Sequence, residues 1–107
     1  MTTPKNPNQT SGAAPGSDTE SLLHAIRSLQ SGDELLRFLT DLCTPAELRA
    51  LAARWQVAQL LDQGELSYRE IAEKTGASTT TVGRVARFLK EEAYQGYRIA
   101  LQREAGR

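Results

Sequence analysis

The sequence has few of the residues on which catalytic and metal-binding sites rely. Its 107 residues include one cysteine, Cys43, and one histidine, His24, and neither lies near a second residue that could complete a metal site. There is no glycine-rich phosphate loop and no nucleophile motif, and no carboxylate is paired with a base at a catalytic spacing. We therefore expect no enzymatic activity, no metal and no cofactor.

Long apolar segments and an excess of one charge are also missing. No segment approaches the roughly 20 apolar residues that span a bilayer, and the N-terminus lacks the apolar region of a secretion signal. A single cysteine cannot form an internal disulfide. These absences predict a cytoplasmic protein that does not bind membranes. Because 13 basic residues balance 13 acidic ones, binding to nucleic acid would need a local basic surface.

What remains is a helical pattern that follows an N-terminal tail. Residues 1–17 hold three of the four prolines and almost no large apolar side chain, which predicts a disordered tail. Residues 18–107 show helical periodicity without strand patterns or repeats, and we interpret them as one helical domain. The predicted fold class is therefore all-α, with six short helices.

Cap signals divide this domain into helices. Asp33 is predicted to cap the second helix, and the pair Thr44-Pro45 marks the start of the third. Gly64 is expected to end the third helix, because glycine adopts a positive φ at no steric cost. A last helix is predicted over residues 94–104. The inward side chains predicted for the third helix are Leu48, Leu51, Ala52, Trp55, Ala58 and Leu61.

The segment 67–90 has the pattern of a helix-turn-helix. Ser67 and Glu70 have the spacing of a capping box, and Gly76 can end the first helix with a positive φ. Ser78 is a favourable N-cap for the second helix. Along that helix, apolar residues repeat at i, i+3, i+4 and i+7 and predict one buried stripe. The stripe consists of Val82, Val85, Ala86 and Leu89.

The outer face of this second helix differs from an ordinary solvated surface. It is uncharged at its start and basic further on, at Arg84, Arg87 and Lys90, with no acidic residue between Ser78 and Lys90. Over the whole segment 67–90, five basic residues oppose two acidic ones, a net charge of +3. Such a helix suits entry into the major groove of DNA. A plain helical hairpin in a small bundle is the alternative.

Apolar stripes also cover helices outside the helix-turn-helix. The first, second and last helices have broader apolar faces than a compact monomer of this size easily buries, and small domains often gain stability as oligomers. We therefore expect a symmetric dimer, whose two recognition helices would lie about 34 Å apart, one turn of DNA. The stripes include Leu22, Leu23, Ile26 and Leu29 in the first helix and Leu35, Leu36, Phe38, Leu39 and Leu42 in the second.

Residues 33–104 resemble the Trp repressor family and, more closely, its TrpR-like bacterial members of the YerC type. The matching residues include Thr44-Pro45 and the characteristic string from Gly76 to Val85. The resemblance implies an intertwined homodimer that binds double-stranded operator DNA as a transcriptional regulator, with repression as the expected effect. It also implies DNA-contact positions, of which Arg69, Thr81 and Arg84 match the repressor while most others differ. The predicted DNA-contacting residues are Tyr68, Arg69, Ser78, Thr79, Thr80, Thr81, Gly83, Arg84 and Arg87.

The family's effector site is a pocket for tryptophan. Thr44, Arg54 and Arg84 match positions that contact the ligand, but Val85 and Phe88 replace a glycine and a serine that line the pocket. A branched side chain at position 85 should block the space of an indole, and Phe88 offers no hydroxyl to an ammonium group. We therefore expect these side chains to fill the pocket and DNA binding to be independent of tryptophan. Whether another small-molecule effector exists stays open.

Two other functions fit parts of the pattern. A helical homodimer could act as a protein-binding adaptor without DNA readout, but its second helix would then carry exposed large apolar residues, for which Phe88 is the only candidate. A helix-turn-helix of a mobile element or a toxin–antitoxin system usually has a further domain, for which 107 residues leave no room.

Overall fold

The computed structural model describes residues 16–106 and has six α-helices and no strand within this range. The predicted all-α fold with six helices is therefore confirmed. The predicted tail covers residues 1–17, of which 1–15 lie outside the described residues, whereas Gly16 directly precedes α1 and Ser17 is its first residue. The helices are α1 (Ser17–Ser28), α2 (Gly32–Leu42), α3 (Pro45–Gln63), α4 (Tyr68–Thr75), α5 (Thr79–Lys90) and α6 (Gly96–Ala105).

The chain divides into two compact units, and the boundary lies between Leu42 and Cys43. The helices α1 and α2 belong to the first unit, and α3 to α6 belong to the second. In the first unit, Ser31 and Glu34 cap the start of α2. The Glu34 N–H donates to the Ser31 hydroxyl (3.1 Å), and the Gln30 N–H donates to the Glu34 carboxylate (2.8 Å). The prediction that Asp33 caps α2 is therefore wrong.

The S-x-x-E spacing explains why the cap lies two residues earlier than predicted. Only Ser31 has a glutamate three residues later that can return a hydrogen bond to the backbone before the helix. Asp33 lies in the first turn of α2 instead, where it forms an exposed ion pair with Arg37 (3.7 Å).

The apolar stripes of the first unit remain accessible in the single chain. No residue of α1 or α2 is buried, and Leu36 keeps 56% of its surface exposed. Full burial of a leucine side chain contributes about 1.5–3 kcal/mol. Within one chain, these helices therefore leave apolar surface exposed, and the free energy that its burial would contribute is not gained. The exposed leucines are Leu22, Leu23, Leu36 and Leu42.

The second unit has a well-defined core where α3 packs against α4 and α5. Its buried cluster joins three helices, and Trp55 and Tyr97 pack against it from the side, half-buried. The α6 helix adds Leu101 to the interior and is tied to the end of α3 by an ion pair between Arg98 and Asp62 (2.8 Å). The cluster consists of Val57, Ala58, Leu60, Ile71, Val82 and Val85.

The ends of α3 are those predicted from the sequence. The Glu47 N–H donates to the Thr44 hydroxyl (3.1 Å), the Thr44 N–H donates to the Glu47 carboxylate (2.8 Å), and Gly64 ends the helix with a φ of 76°. The predicted inward set is only partly correct, since Leu51 remains 43% exposed while Val57 and Leu60 are buried. The reason is that the core lies against the second half of α3. The hydrophobic periodicity alone predicts the same burial for every turn of the helix.

The last helix begins later than predicted. Gln95 has a left-handed conformation (φ 59°), which a right-handed helix cannot continue through, so that α6 starts at Gly96 and not at residue 94. Tyr94 consequently lies in the connection and is exposed.

Candidate nucleic-acid interface

The helix α4 begins and ends as the helix-turn-helix pattern predicts. The Glu70 N–H donates to the Ser67 hydroxyl (3.1 Å), and the Ser67 N–H donates to the Glu70 carboxylate (2.8 Å). At the other end, Gly76 has a φ of 79°, which closes the helix in the left-handed conformation. Ile71 faces inward and is fully buried in the core. The helix is therefore fixed at both ends and along one side.

The turn between α4 and α5 is held by Thr75, a residue that sequence reasoning missed. Its hydroxyl donates to the Ile71 carbonyl (2.8 Å) and accepts from the Ala77 N–H (3.2 Å). One side chain thus bridges the last turn of α4 and the residue before the cap of α5. A threonine directly before the helix-ending glycine is the available signal, because a hydroxyl at that position can reach an unpaired carbonyl.

The start of α5 presents a row of small polar side chains. Ser78 accepts from the Thr81 N–H (3.0 Å) and donates its own hydroxyl to Thr81 Oγ1 (3.1 Å), so that cap and first turn support each other. Thr79 and Thr80 are exposed, and Thr81 is half-buried. Of the predicted contact residues in this turn, Thr79 and Thr80 therefore have the most accessible hydroxyl groups.

The buried stripe of α5 is the predicted one. Val82, Val85, Ala86 and Leu89 are all buried, and Val85 keeps only 1% of its surface exposed. Because these residues fix the rotation of the helix, Arg84 and Arg87 lie on its exposed side. Tyr68 and Arg69, at the start of α4, are also exposed. The second unit therefore places most of the predicted contact residues on the accessible surface of α4, the turn and α5, while Thr81 and Gly83 are half-buried.

Gly83 stands in the middle of α5 without an internal reason for being glycine. It is half-buried, its φ is not positive, and a Cβ added there would meet no heavy atom within 4 Å. Glycine inside a helix costs about 1 kcal/mol relative to alanine. The volume that a side chain at position 83 would take up is therefore not occupied by other residues of the described chain.

Phe88 organises the basic side of α5. The Cζ atom of Arg84 lies 4.3 Å from the centroid of the Phe88 ring, and that of Arg87 lies 5.2 Å from it. Arg87 also forms an ion pair with Glu92, in the connection after α5, at 3.5 Å between Nε and Oε2. Glu92 is the acidic partner that the sequence pattern of α5 did not indicate.

The five residues predicted to form an effector pocket lie at different places in the second unit. Thr44 caps α3, Val85 is buried in the core, and Arg84 lies outside on α5. Phe88 is half-buried, and its filling of a pocket together with Val85 stays a prediction. Its ring lies beside two guanidinium groups, because the i, i+4 spacing from Arg84 brings the two side chains together on one face of the helix.

A cleft of about 450 Å3 lies between the first half of α3 and the turn before α5. Arg54 is the one member of the predicted effector set that lines it. Within residues 43–106, Arg54 takes part in no ion pair. Other lining residues are Arg49, Ala53, Thr75, Ser78 and Thr81.

Two further findings concern membrane-spanning helices and metal-binding groups. None of the helices in the described range is long and apolar enough to cross a membrane. Residues 16–106 also contain no group of three or more histidine, cysteine, aspartate or glutamate side chains placed to hold a metal ion.

Comparison with known proteins gives a consistent result over most of the chain. The family model described as Trp repressor protein matches residues 17–105. YerC of Bacillus subtilis is 41% identical over 88 residues, which are 82% of this chain and 83% of the relative. The Trp operon repressor homolog of Aliivibrio salmonicida is 35% identical over 80 residues, 75% of this chain and 74% of the relative.

A solved structure has the same fold. The crystal structure of a TrpR-like protein from Eubacterium eligens superposes with a TM-score of 0.78 at 40% sequence identity. The match covers 84% of this chain and 91% of the solved one. The similarity therefore extends through both units of the chain, since the family model covers α1 to α6.

Proposed function

Since the chain belongs to the Trp repressor family, a family of regulators and not of enzymes, we propose that it binds specific double-stranded DNA as a homodimer and represses transcription. The observation that carries the proposal is the accessible surface of α5. It combines exposed hydroxyls at the N-terminal end with two exposed arginines, and no acidic residue lies on the helix itself. A helix of this composition can place side chains against base edges and phosphates in the major groove.

The same surface argues against the protein-binding adaptor. An adaptor would need exposed large apolar side chains on α5. Phe88 is the only large apolar residue off the buried stripe, and it is half-buried beside the guanidinium groups of Arg84 and Arg87. The remaining accessible groups are polar or basic, which suits a polyanion better than an apolar partner.

The homodimer is supported by the first unit. Its helices bury no residue within the single chain, and four leucines on them are exposed. A second copy of the chain offers the same apolar stripes and can cover them by two-fold symmetry, with the two chains intertwined. A dimer would present two copies of α5 to neighbouring turns of DNA. A cytoplasmic location belongs to the same proposal.

Independence from tryptophan is the remaining part of the proposal. Val85 lies in the core that α5 shares with α3 and α4, and its packing there supports the orientation of α5 from within the chain. Arg54, Thr44 and Arg84 match ligand-contacting positions of the repressor, yet only Arg54 lines the open cleft. An effector of another kind could use that cleft, and its identity stays open.

Selection of bound sequences from a random pool of DNA duplexes tests the proposal. We expect enrichment of a palindromic site, and binding of that site by the full chain without added tryptophan. Arg84→Ala and Arg87→Ala should each weaken binding by about 1–3 kcal/mol where the side chain makes a bidentate base contact. Arg103→Ala removes the same charge from the far end of α6 and serves as the control. Unchanged affinity of both α5 variants would remove DNA readout from this helix.

A further inference from the structure

The two arginines of α5 have different surroundings, although both lie beside the same ring. A guanidinium group within about 6 Å of an aromatic centroid is attracted by the quadrupole of the ring. The guanidinium carbon of Arg84 lies closer to the centroid of the ring (4.3 Å) than that of Arg87 (5.2 Å). The ring belongs to a half-buried side chain on the same helix, so that it moves little relative to the backbone of α5. Phe88 therefore restricts the rotamers of Arg84.

Arg87 has an anionic partner, whereas Arg84 has none within residues 16–106. The partner, Glu92, is itself held by the backbone: its N–H donates to the Arg87 carbonyl (3.2 Å), and its carbonyl accepts from Gln95 Nε2 (2.7 Å). Its carboxylate is thus kept next to the guanidinium group of Arg87. A carboxylate in that place competes with a phosphate for the same donors.

We propose that Phe88 is a positioning residue that orients Arg84 for a base edge, and that Glu92 is an internal competitor that DNA must displace from Arg87. The inference rests on the proposed DNA-binding function and divides the two arginines by role. Arg84 is free of anions and held in a restricted set of rotamers, which lowers the entropy lost when it binds one base pair. Arg87 exchanges its carboxylate for a phosphate, which adds affinity for any sequence.

The two roles predict different changes in DNA binding. Loss of an exposed cation–π contact should lower the ratio of specific to non-specific affinity about two- to fivefold. Removal of the carboxylate should instead raise affinity for all sequences, because no ion pair has to be broken before Arg87 binds a phosphate. It should also steepen the dependence on salt by about 0.9 in the logarithmic slope, since in the parent chain the freed Glu92 carboxylate takes up one cation for the one that Arg87 releases from the DNA. That slope corresponds to about a 3.5-fold change in relative affinity between 50 and 200 mM salt.

Fluorescence anisotropy with the full chain tests both roles on a selected duplex and on a scrambled one. Phe88→Leu keeps an apolar side chain but removes the ring, and Phe88→Tyr keeps the ring. We expect Phe88→Leu to lose specificity at an unchanged salt slope and Phe88→Tyr to retain it. Glu92→Gln should show the steeper slope, while Glu91→Gln makes the same charge change at the neighbouring exposed position and should not.

A measurement without DNA tests the contact between Phe88 and Arg84 directly. Together with DNA binding by the parent chain, it distinguishes failure of this inference from failure of the proposed function. In the nuclear magnetic resonance spectrum of the free protein, ring current from Phe88 should shift the side-chain protons of Arg84, and Phe88→Leu should abolish the shift. If the parent chain binds no duplex, the proposed function fails and this inference fails with it. If the parent binds specifically but Phe88→Leu keeps the full specificity ratio, or Glu92→Gln behaves like Glu91→Gln, the corresponding half of the inference is overturned while the function stands.

Discussion

Replacing Gly83 by alanine should separate the stability of the fold from DNA binding. The added Cβ meets no heavy atom within 4 Å, and the backbone of α5 is helical at this position, so that the substitution introduces no clash or strain. Alanine in a helix interior is favoured over glycine by about 0.8–1.0 kcal/mol. Because 1 kcal/mol shifts Tm by about 4–8 °C in a domain of 60–100 residues, we expect Gly83→Ala to melt several degrees higher.

DNA affinity should change in the opposite direction. Glycine permits a close approach of the helix backbone to a ligand, and the protein itself does not use the space at Gly83. An added methyl group would displace one neighbouring contact to the DNA backbone, at a cost of about 1 kcal/mol or roughly fivefold in Kd.

Thermal unfolding followed by circular dichroism, and anisotropy on a selected duplex, measure the two effects. Gly96→Ala is a matched control, since Gly96 also has no heavy atom near a Cβ but lies at the start of α6. A lower Tm for Gly83→Ala would refute the open environment of the position. A higher Tm with unchanged Kd would refute the close approach of DNA.

Three further predictions concern the cap of α3, the dimer and the effector. Thr44→Ala should lower the free energy of unfolding by about 0.5–2 kcal/mol in urea denaturation, while Thr44→Ser, which keeps the hydroxyl, should not. Light scattering at low micromolar concentration should give twice the chain mass of 11.7 kDa, and Leu36→Asp should lower it; a folded monomer of the parent would contradict the dimer. Titration calorimetry with tryptophan should show no stoichiometric isotherm, and a millimolar addition should leave DNA affinity unchanged.

Features that depend on neighbouring residues in the sequence could be predicted. The caps at Thr44, Ser67 and Ser78 form as expected because cap and partner are three residues apart, a distance that the helix itself fixes. The buried stripe of α5 was also predicted completely, because its periodicity leaves one possible inner face.

Features that depend on competition or on loop geometry could not be predicted in the same way. Ser31 and Asp33 are both residue types that cap helices, and the bonds that Glu34 makes with Ser31 and Gln30 decide between them. The start of α6 depends on the left-handed conformation of Gln95, a residue without a strong preference for it. The pairing of Arg87 with Glu92 likewise follows from the turn after α5, not from a helical spacing.

The way in which α5 is fixed has a consequence for regulation. Val82 and Val85 pack the helix against α3 from inside, Ser78 caps its first turn, and Thr75 braces the turn before it. These contacts all lie within one chain, and they favour the observed orientation of the helix. A ligand changes such an equilibrium only if it binds two orientations with different affinity. An effector in the cleft beside Arg54 would therefore act only if its affinity for this orientation of α5 differed from its affinity for another, and occupation of the cleft alone would have no effect.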